Sequence, residues 1–151
     1  MPTIQITHEI DIDRPAAEVW RVLADYGNDP TWRHGVATMA PDPPGEVGVG
    51  TTTAEELRLA GQTRRNLGEV VTVDPGLSFR WRTTAGADAD GSRTVSPLGG
   101  TRCRVRLELT VRPHGLDAVL APVFGPILRR NVRGDLARLR TLLEAPTSTP
   151  V

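Results

Sequence analysis

The chain has 151 residues, 38% of them hydrophobic, enough to bury roughly two-thirds of its unfolded surface in one core and too few for a second domain of ordinary size. Eighteen acidic residues balance eighteen basic ones, so the overall charge favours neither nucleic acid nor an anionic membrane. Every basic residue is arginine, and without lysine no side-chain Schiff base can form.

Met1 is followed by no apolar run of signal or membrane-spanning length, which points to a cytoplasmic protein. Ile4, Ile6, Ile10 and Ile12 alternate with Gln5, Thr7, Glu9 and Asp11, the period-two pattern of a strand with one buried face, and His8 falls on that face. A helix is predicted next, with Asp13 as N-cap, Pro15 in its first turn, Val19, Trp20, Val22 and Leu23 as its apolar side, and an end near Tyr26 and Gly27. Residues 28–32 read as a second short helix or turn capped by Asn28 or Asp29.

Residues 36–39 form a short strand, and a Pro- and Gly-rich connection follows. In the strand 51–59, Thr53, Glu55, Leu57 and Leu59 are in phase, which gives Glu55 an apolar neighbourhood. Another strand spans 62–73, where Leu67, Val71 and Val73 disagree in phase with Val70. Beyond the turn Asp74-Pro75-Gly76, Leu77, Phe79, Trp81 and Thr83 alternate with Ser78, Arg80 and Arg82. Residues 85–91 read as a polar hairpin loop and 93–98 as a weaker strand. In the strand 101–112, Cys103, Val105, Leu107, Leu109 and Val111 oppose Arg102, Arg104, Arg106 and Glu108.

Residues 116–144 repeat leucine, valine and isoleucine at three- and four-residue steps and predict one long helix, kinked in its first turns or beginning in earnest near Pro126. Arg129, Arg130, Arg133, Arg138 and Arg140 occupy its polar face. Asn131 and Asp135 lie beside the apolar stripe, where each would either cap a cavity or sit at its edge. Antiparallel strands closed by a helix give an α+β layer.

The run IDRPAAEVWRVLADY at 12–26, DPTW at 29–32, VGVGT at 47–51, VDPG at 73–76 and LARLRTLLE at 136–144 together resemble the START/Bet v 1-like superfamily, and in particular its polyketide cyclase/dehydrase-like branch. The resemblance covers nearly the whole chain. It implies a helix-grip fold: a curved seven-stranded antiparallel sheet wrapped around a long C-terminal helix, with two short helices after the first strand and an apolar cavity between sheet and helix. It implies one ligand-binding domain over 1–145 and a disordered tail over 146–151. It carries no fixed catalytic signature, because this fold hosts cyclases, dehydratases, lipid binders and co-chaperones.

With such a cavity, polar residues on apolar-phase positions become the candidates for chemistry, since each must be satisfied by protein, water or ligand. His8 is a candidate proton carrier near neutral pH, and Glu55 a candidate base. Arg65 and Glu69, if both face inward, would pair or hold an anionic group. Trp32 and Trp81 offer flat apolar surface, Tyr26 a phenol at the mouth, and Asn131 a polar contact from the helix.

No CxxC or HExxH spacing is present, the three histidines are scattered, and Cys103 has no partner for a disulfide. The resemblance implies a strand order that sets the first and last strands side by side. The outward arginines Arg80, Arg82, Arg102, Arg104 and Arg106 are therefore expected to face Glu9 and Asp11 in cross-strand ion pairs rather than to bind nucleic acid. The expectation is therefore a monomer or homodimer that needs no cofactor and takes a hydrophobic small molecule, cyclising or dehydrating it. The alternatives are a non-catalytic carrier or sensor and a co-chaperone-like interaction module.

Overall fold

The computed structural model describes residues 3–145; the tail expected to be disordered over 146–151 lies outside the described residues. Seven antiparallel strands, β1 (Ile4–Ile12), β2 (Val36–Asp42), β3 (Thr52–Leu59), β4 (Gln62–Asp74), β5 (Ser78–Ala85), β6 (Ala89–Pro97) and β7 (Cys103–Val111), form one curved sheet. Their order is β1-β7-β6-β5-β4-β3-β2, so the first and last strands of the chain are neighbours and β1 and β2 are the edges. Two short helices, α1 (Ala16–Leu23) and α2 (Asp29–Trp32), follow β1, and α3 (Leu116–Val119) and α4 (Ala121–Glu144) close the chain. This is a helix-grip arrangement.

Several local readings change. The helix expected over 116–144 is two: the chain breaks at Leu120 and resumes at Ala121. Pro122 then stands in the first turn, where its missing N–H would have had no intrahelical partner, and Pro126 is accommodated inside α4. Asp13 does not cap α1. Pro15 takes the N-cap position, and Asp13 instead accepts from Arg102 Nε at 2.8 Å. Strand β6 begins at Ala89, inside the stretch expected to be a loop. The conflicting phase of 62–73 is explained by a register irregularity between Val70 and Thr72, which lets Val73 join the inward side with Val70.

The expected cross-strand pairing holds for β7, whereas Arg82 of β5 pairs with Glu69 instead. Glu9 stands opposite Arg106 and Asp11 opposite Arg104, and Arg104 Nε donates to Asp11 Oδ1 at 2.7 Å. Cys103, opposite Ile12, is fully buried. Burial, with the Asp11 charge behind it, holds the thiol above its ordinary pKa. Native protein is therefore expected to leave a disulfide-exchange reagent unreacted at neutral pH and to consume one equivalent on unfolding; a fast reaction in the native state would contradict this burial.

Sheet and α4 meet in two places. One cluster gathers Ile12, Trp20, Leu23, Phe79, Val95, Val105, Leu136 and Leu139, and the other Ile4, Ile6 and Ala121 with Leu109, Leu128 and Val132 against them. Between the clusters the inward positions of β3, β4 and β5 include Thr53, Glu55, Asn66, Gly68 and Thr83. These short or polar side chains do not fill the space beneath α4, so the layer is left hollow at its middle.

Candidate ligand cavity

The hollow has a volume of about 520 Å³, within the range of small-molecule sites. Leu57, Leu59, Trp81, Leu107, Leu109, Phe124, Leu128 and Val132 supply its apolar wall. At one end the lining residues are exposed, among them Gly86, Asp88 and His114. At the other end lie Tyr26, Trp32 and Arg93, all buried.

The buried end is built on charge. Asp29, the first residue of α2, has no exposed surface. Its two carboxylate oxygens accept from Arg93 Nη1 and Nη2 at 3.0 and 2.6 Å, and Oδ2 also accepts from Arg33 Nη1, one turn on, at 2.9 Å. Arg33 Nη1 reaches Glu55 Oε2 at 3.2 Å as well. Two cations and two anions thus form a neutral quartet.

Arg93 also donates to the Leu23 carbonyl at 3.0 Å, and its guanidinium stands 4.6, 5.1 and 5.6 Å from the ring centres of Tyr26, Trp32 and Phe79. Burial works against both guanidinium charges, but Glu55 and Asp29 outweigh it at Arg33, and Asp29 does so at Arg93. Burial likewise raises the Tyr26 hydroxyl well above the phenol range despite the nearby Arg93 charge, so it remains protonated.

Asp135 enters from α4. Its Oδ1 accepts the His34 N–H at 3.1 Å and an Arg138 guanidinium hydrogen, while Oδ2 accepts no hydrogen bond among the described residues. Burial raises its pKa above the ordinary aspartate value, although both donors pull the other way. At the mouth, Arg64 Nη1 and Nη2 grip Asp117 of α3 at 2.7 and 3.0 Å, with the Phe124 ring 5.4 Å from the guanidinium.

Of the residues expected at a site, Tyr26, Trp32, Glu55, Trp81 and Asn131 line this cavity. Arg65 is among the lining residues too but is exposed, and Arg64 occupies the inward phase. Glu69 is not in the lining. It accepts from Arg82 Nε at 2.7 Å, so the inward Arg65–Glu69 pair is replaced by a pair on the outer side. His8 does lie on the apolar phase, opposite Leu107, but β1 is an edge strand with α4 packed along it. His8 therefore stands in a groove with Ile127, Arg129, Arg130 and Arg133, outside the cavity.

In sequence none of Arg93, Asp29 and Arg33 is named as a site residue, and Asp135 is left between capping a cavity and sitting at its edge. Arg93 shares its phase with Val95, and an arginine on an apolar phase is a usable signal. Asp29 reads in sequence as a cap, which hides its inward role.

Gly91 faces Trp81 across β5 and β6. A Cβ there would lie 2.3 Å from the Glu108 carbonyl oxygen and 2.7 Å from Trp81 Cζ2, so only glycine lets the indole lie against the strand. Gly91→Ala is expected to cost about 1–3 kcal/mol in urea unfolding and to alter tryptophan emission. Unchanged stability and emission would contradict this contact.

The sequence profile of the family described as polyketide cyclase/dehydrase and lipid transport matches residues 3–144. This chain belongs to that family. No curated protein matches the sequence. Among solved structures, this family member is similar to the Zhui aromatase/cyclase of Streptomyces sp. R1128, with TM-score 0.82 at 17% identity over 99% of this chain and 100% of that one. A START superfamily protein of Mycobacterium smegmatis aligns with TM-score 0.69 at 16% identity over 93% and 94% of the two chains. A truncated norcoclaurine synthase of Thalictrum flavum aligns with TM-score 0.70 at 14% identity over 97% and 96%. At these identities the likenesses concern the fold. Among the described residues of this family member, no helix is long and apolar enough to cross a membrane.

Proposed function

We propose that this protein binds an apolar, polyketide- or lipid-like molecule in the cavity and catalyses its cyclisation or dehydration. The observation that carries this reading is the open hollow with apolar walls and a few polar groups gathered at its buried end. A co-chaperone-like role called for a filled core, so the hollow favours binding.

The chemistry we infer is an intramolecular aldol closure followed by loss of water. A carboxylate removes a proton from the carbon between two carbonyls, that carbon attacks a further carbonyl within the same folded chain, and the carboxylic acid returns its proton to the new alkoxide. The carboxylate then takes the second α-proton and passes it to the departing hydroxyl, which leaves as water. The curved wall from Leu57 to Val132 would fold the ligand, and orientation alone can supply several kcal/mol. Asp135 suits the proton-carrying role, with one oxygen anchored and the other free. The protonated Tyr26 hydroxyl suits donation to a carbonyl oxygen. Glu55, the base suggested by sequence, is tied to Arg33 and suits a role in charge balance or as a second base.

That pairing of Glu55 is also what a carrier would show, and the two readings separate experimentally. Wild type, Asp135→Asn and Glu55→Gln are assayed for binding and turnover on linear poly-β-ketone thioester mimics. Binding with turnover lost in Asp135→Asn supports the cyclase. Binding without turnover in wild type supports the carrier.

A further inference from the structure

Overall neutrality hides a local imbalance. On the outer side of β7 and the turn before it the arginines are matched: Arg102 to Asp13, Arg104 to Asp11, Arg106 to Glu9. On α4, Arg129, Arg130 and Arg133 form no ion pair among the described residues. Arg129 reaches only the Gln5 carbonyl, at 3.4 Å. All three are exposed.

The surface leading to them is apolar. Leu116 and Val119 of α3 are each 73% exposed, Val123 of α4 is 57% exposed and Leu120, between the helices, 37%. Val123, Ile127 and Arg130 follow at four- and three-residue steps, so the apolar tip runs into the arginines along one side of α4. Asp117, the one carboxylate of α3, is neutralised by Arg64. The tip also borders the cavity, because Asp117 and Phe124 belong to its lining.

We propose that this surface docks on an anionic phospholipid bilayer, with Leu116, Val119, Leu120 and Val123 entering the headgroup layer and the three arginines meeting lipid phosphates. Unpaired arginines call for an anionic partner, and large apolar side chains beside them call for one that also offers hydrocarbon. The apolar groups protrude from the corner between α3 and α4 instead of lining a groove, which suits a deformable layer better than a folded protein surface. Docked in this way, the cavity mouth would face the phase in which an apolar ligand dissolves. The inference concerns the outside of the molecule and does not depend on any reaction inside it.

Flotation of the whole chain with vesicles tests it, comparing phosphatidylcholine alone with phosphatidylcholine containing phosphatidylglycerol, at low and high salt. Wild type is expected to float with the anionic vesicles at low salt and to be released at high salt. Arg130→Glu with Arg133→Glu is expected to weaken binding by about thirtyfold or more, since that much follows from the lost arginines alone. Val119→Asp with Val123→Asp is expected to abolish it while the arginines remain. All four positions are exposed, and thermal melts matching wild type verify that the variants fold.

Failure of wild type to float with anionic vesicles at low salt overturns the proposal, as does wild-type binding by either folded variant pair. A wild-type dimer that the Val119/Val123 variant dissociates would give the tip to a second copy. Capture of a polyglutamate peptide without flotation would give the arginines to an acidic protein. Either result overturns bilayer docking.

Discussion

Arg93→Met is expected to lower the unfolding free energy by about 3–5 kcal/mol. The substitution keeps an unbranched chain of similar length, so the loss is chiefly one of charge. Asp29, without exposed surface, would keep only Arg33 as a cation, the Leu23 carbonyl would lose its donor, and the guanidinium contact with three aromatic rings would disappear. The reciprocal Asp29→Asn is expected to cost a comparable amount, because it leaves two guanidinium groups facing one remaining anion, Glu55. Combining the two removes one charge of each sign, and the double variant should lose less than the sum of the singles. Urea unfolding of the four proteins is the check; strict additivity would show that the quartet is not a coupled unit. The exposed Arg104–Asp11 pair serves as contrast, since its removal should move the urea midpoint little.

The second large effect is on chemistry. Asp135→Asn keeps the size of the side chain and an oxygen able to accept from His34, but it cannot carry a proton. Turnover is expected to fall about 10²- to 10⁴-fold while ligand binding is retained. The pH dependence follows from the direction of the shift. If Asp135 acts as base, turnover in wild type rises with pH through a pKa above the ordinary aspartate value, and Asp135→Asn abolishes that limb. The stability linkage has a definite sign too. A carboxyl whose folded pKa is raised binds more protons folded than unfolded between the two pKa values. Wild-type stability relative to Asp135→Asn should therefore fall as pH rises through that interval and level off above it. A pH-independent difference would leave Asp135 without the proposed protonation behaviour.

Seven strands, their phases in β3, β5 and β7, and the closing helix are legible in sequence because alternation and three-to-four spacing report directly which side is buried. The ion pairs between β1 and β7 followed once the two were set side by side, which the resemblance supplied and the pattern alone did not. The break at Leu120 left no sign distinct from the neighbouring prolines, and the re-phasing in β4 depends on an irregularity opposite β5. The site was legible only in part. Glu55 stands out because it shares its phase with Leu57 and Leu59. His8 shares its phase with four isoleucines, but phase gives the side of a strand and not what covers it, and at an edge strand α4 is the cover. Asp29 and Arg93 escaped because a first-turn aspartate and a strand arginine each have a solvent-facing explanation, and only their 64-residue separation in sequence, closed to 2.6 Å in space, makes them a pair.

The hollow between the two packing clusters is what everything else depends on, and a titration with a fused-ring aromatic ketone, followed by tryptophan emission, tests it most directly. Wild type should bind one molecule per chain, with the emission of Trp32 and Trp81 quenched. Val132→Trp, which fills the space from α4, should bind none while remaining folded. Equal binding by the filled variant, or none by wild type, would contradict a cavity that receives an apolar guest.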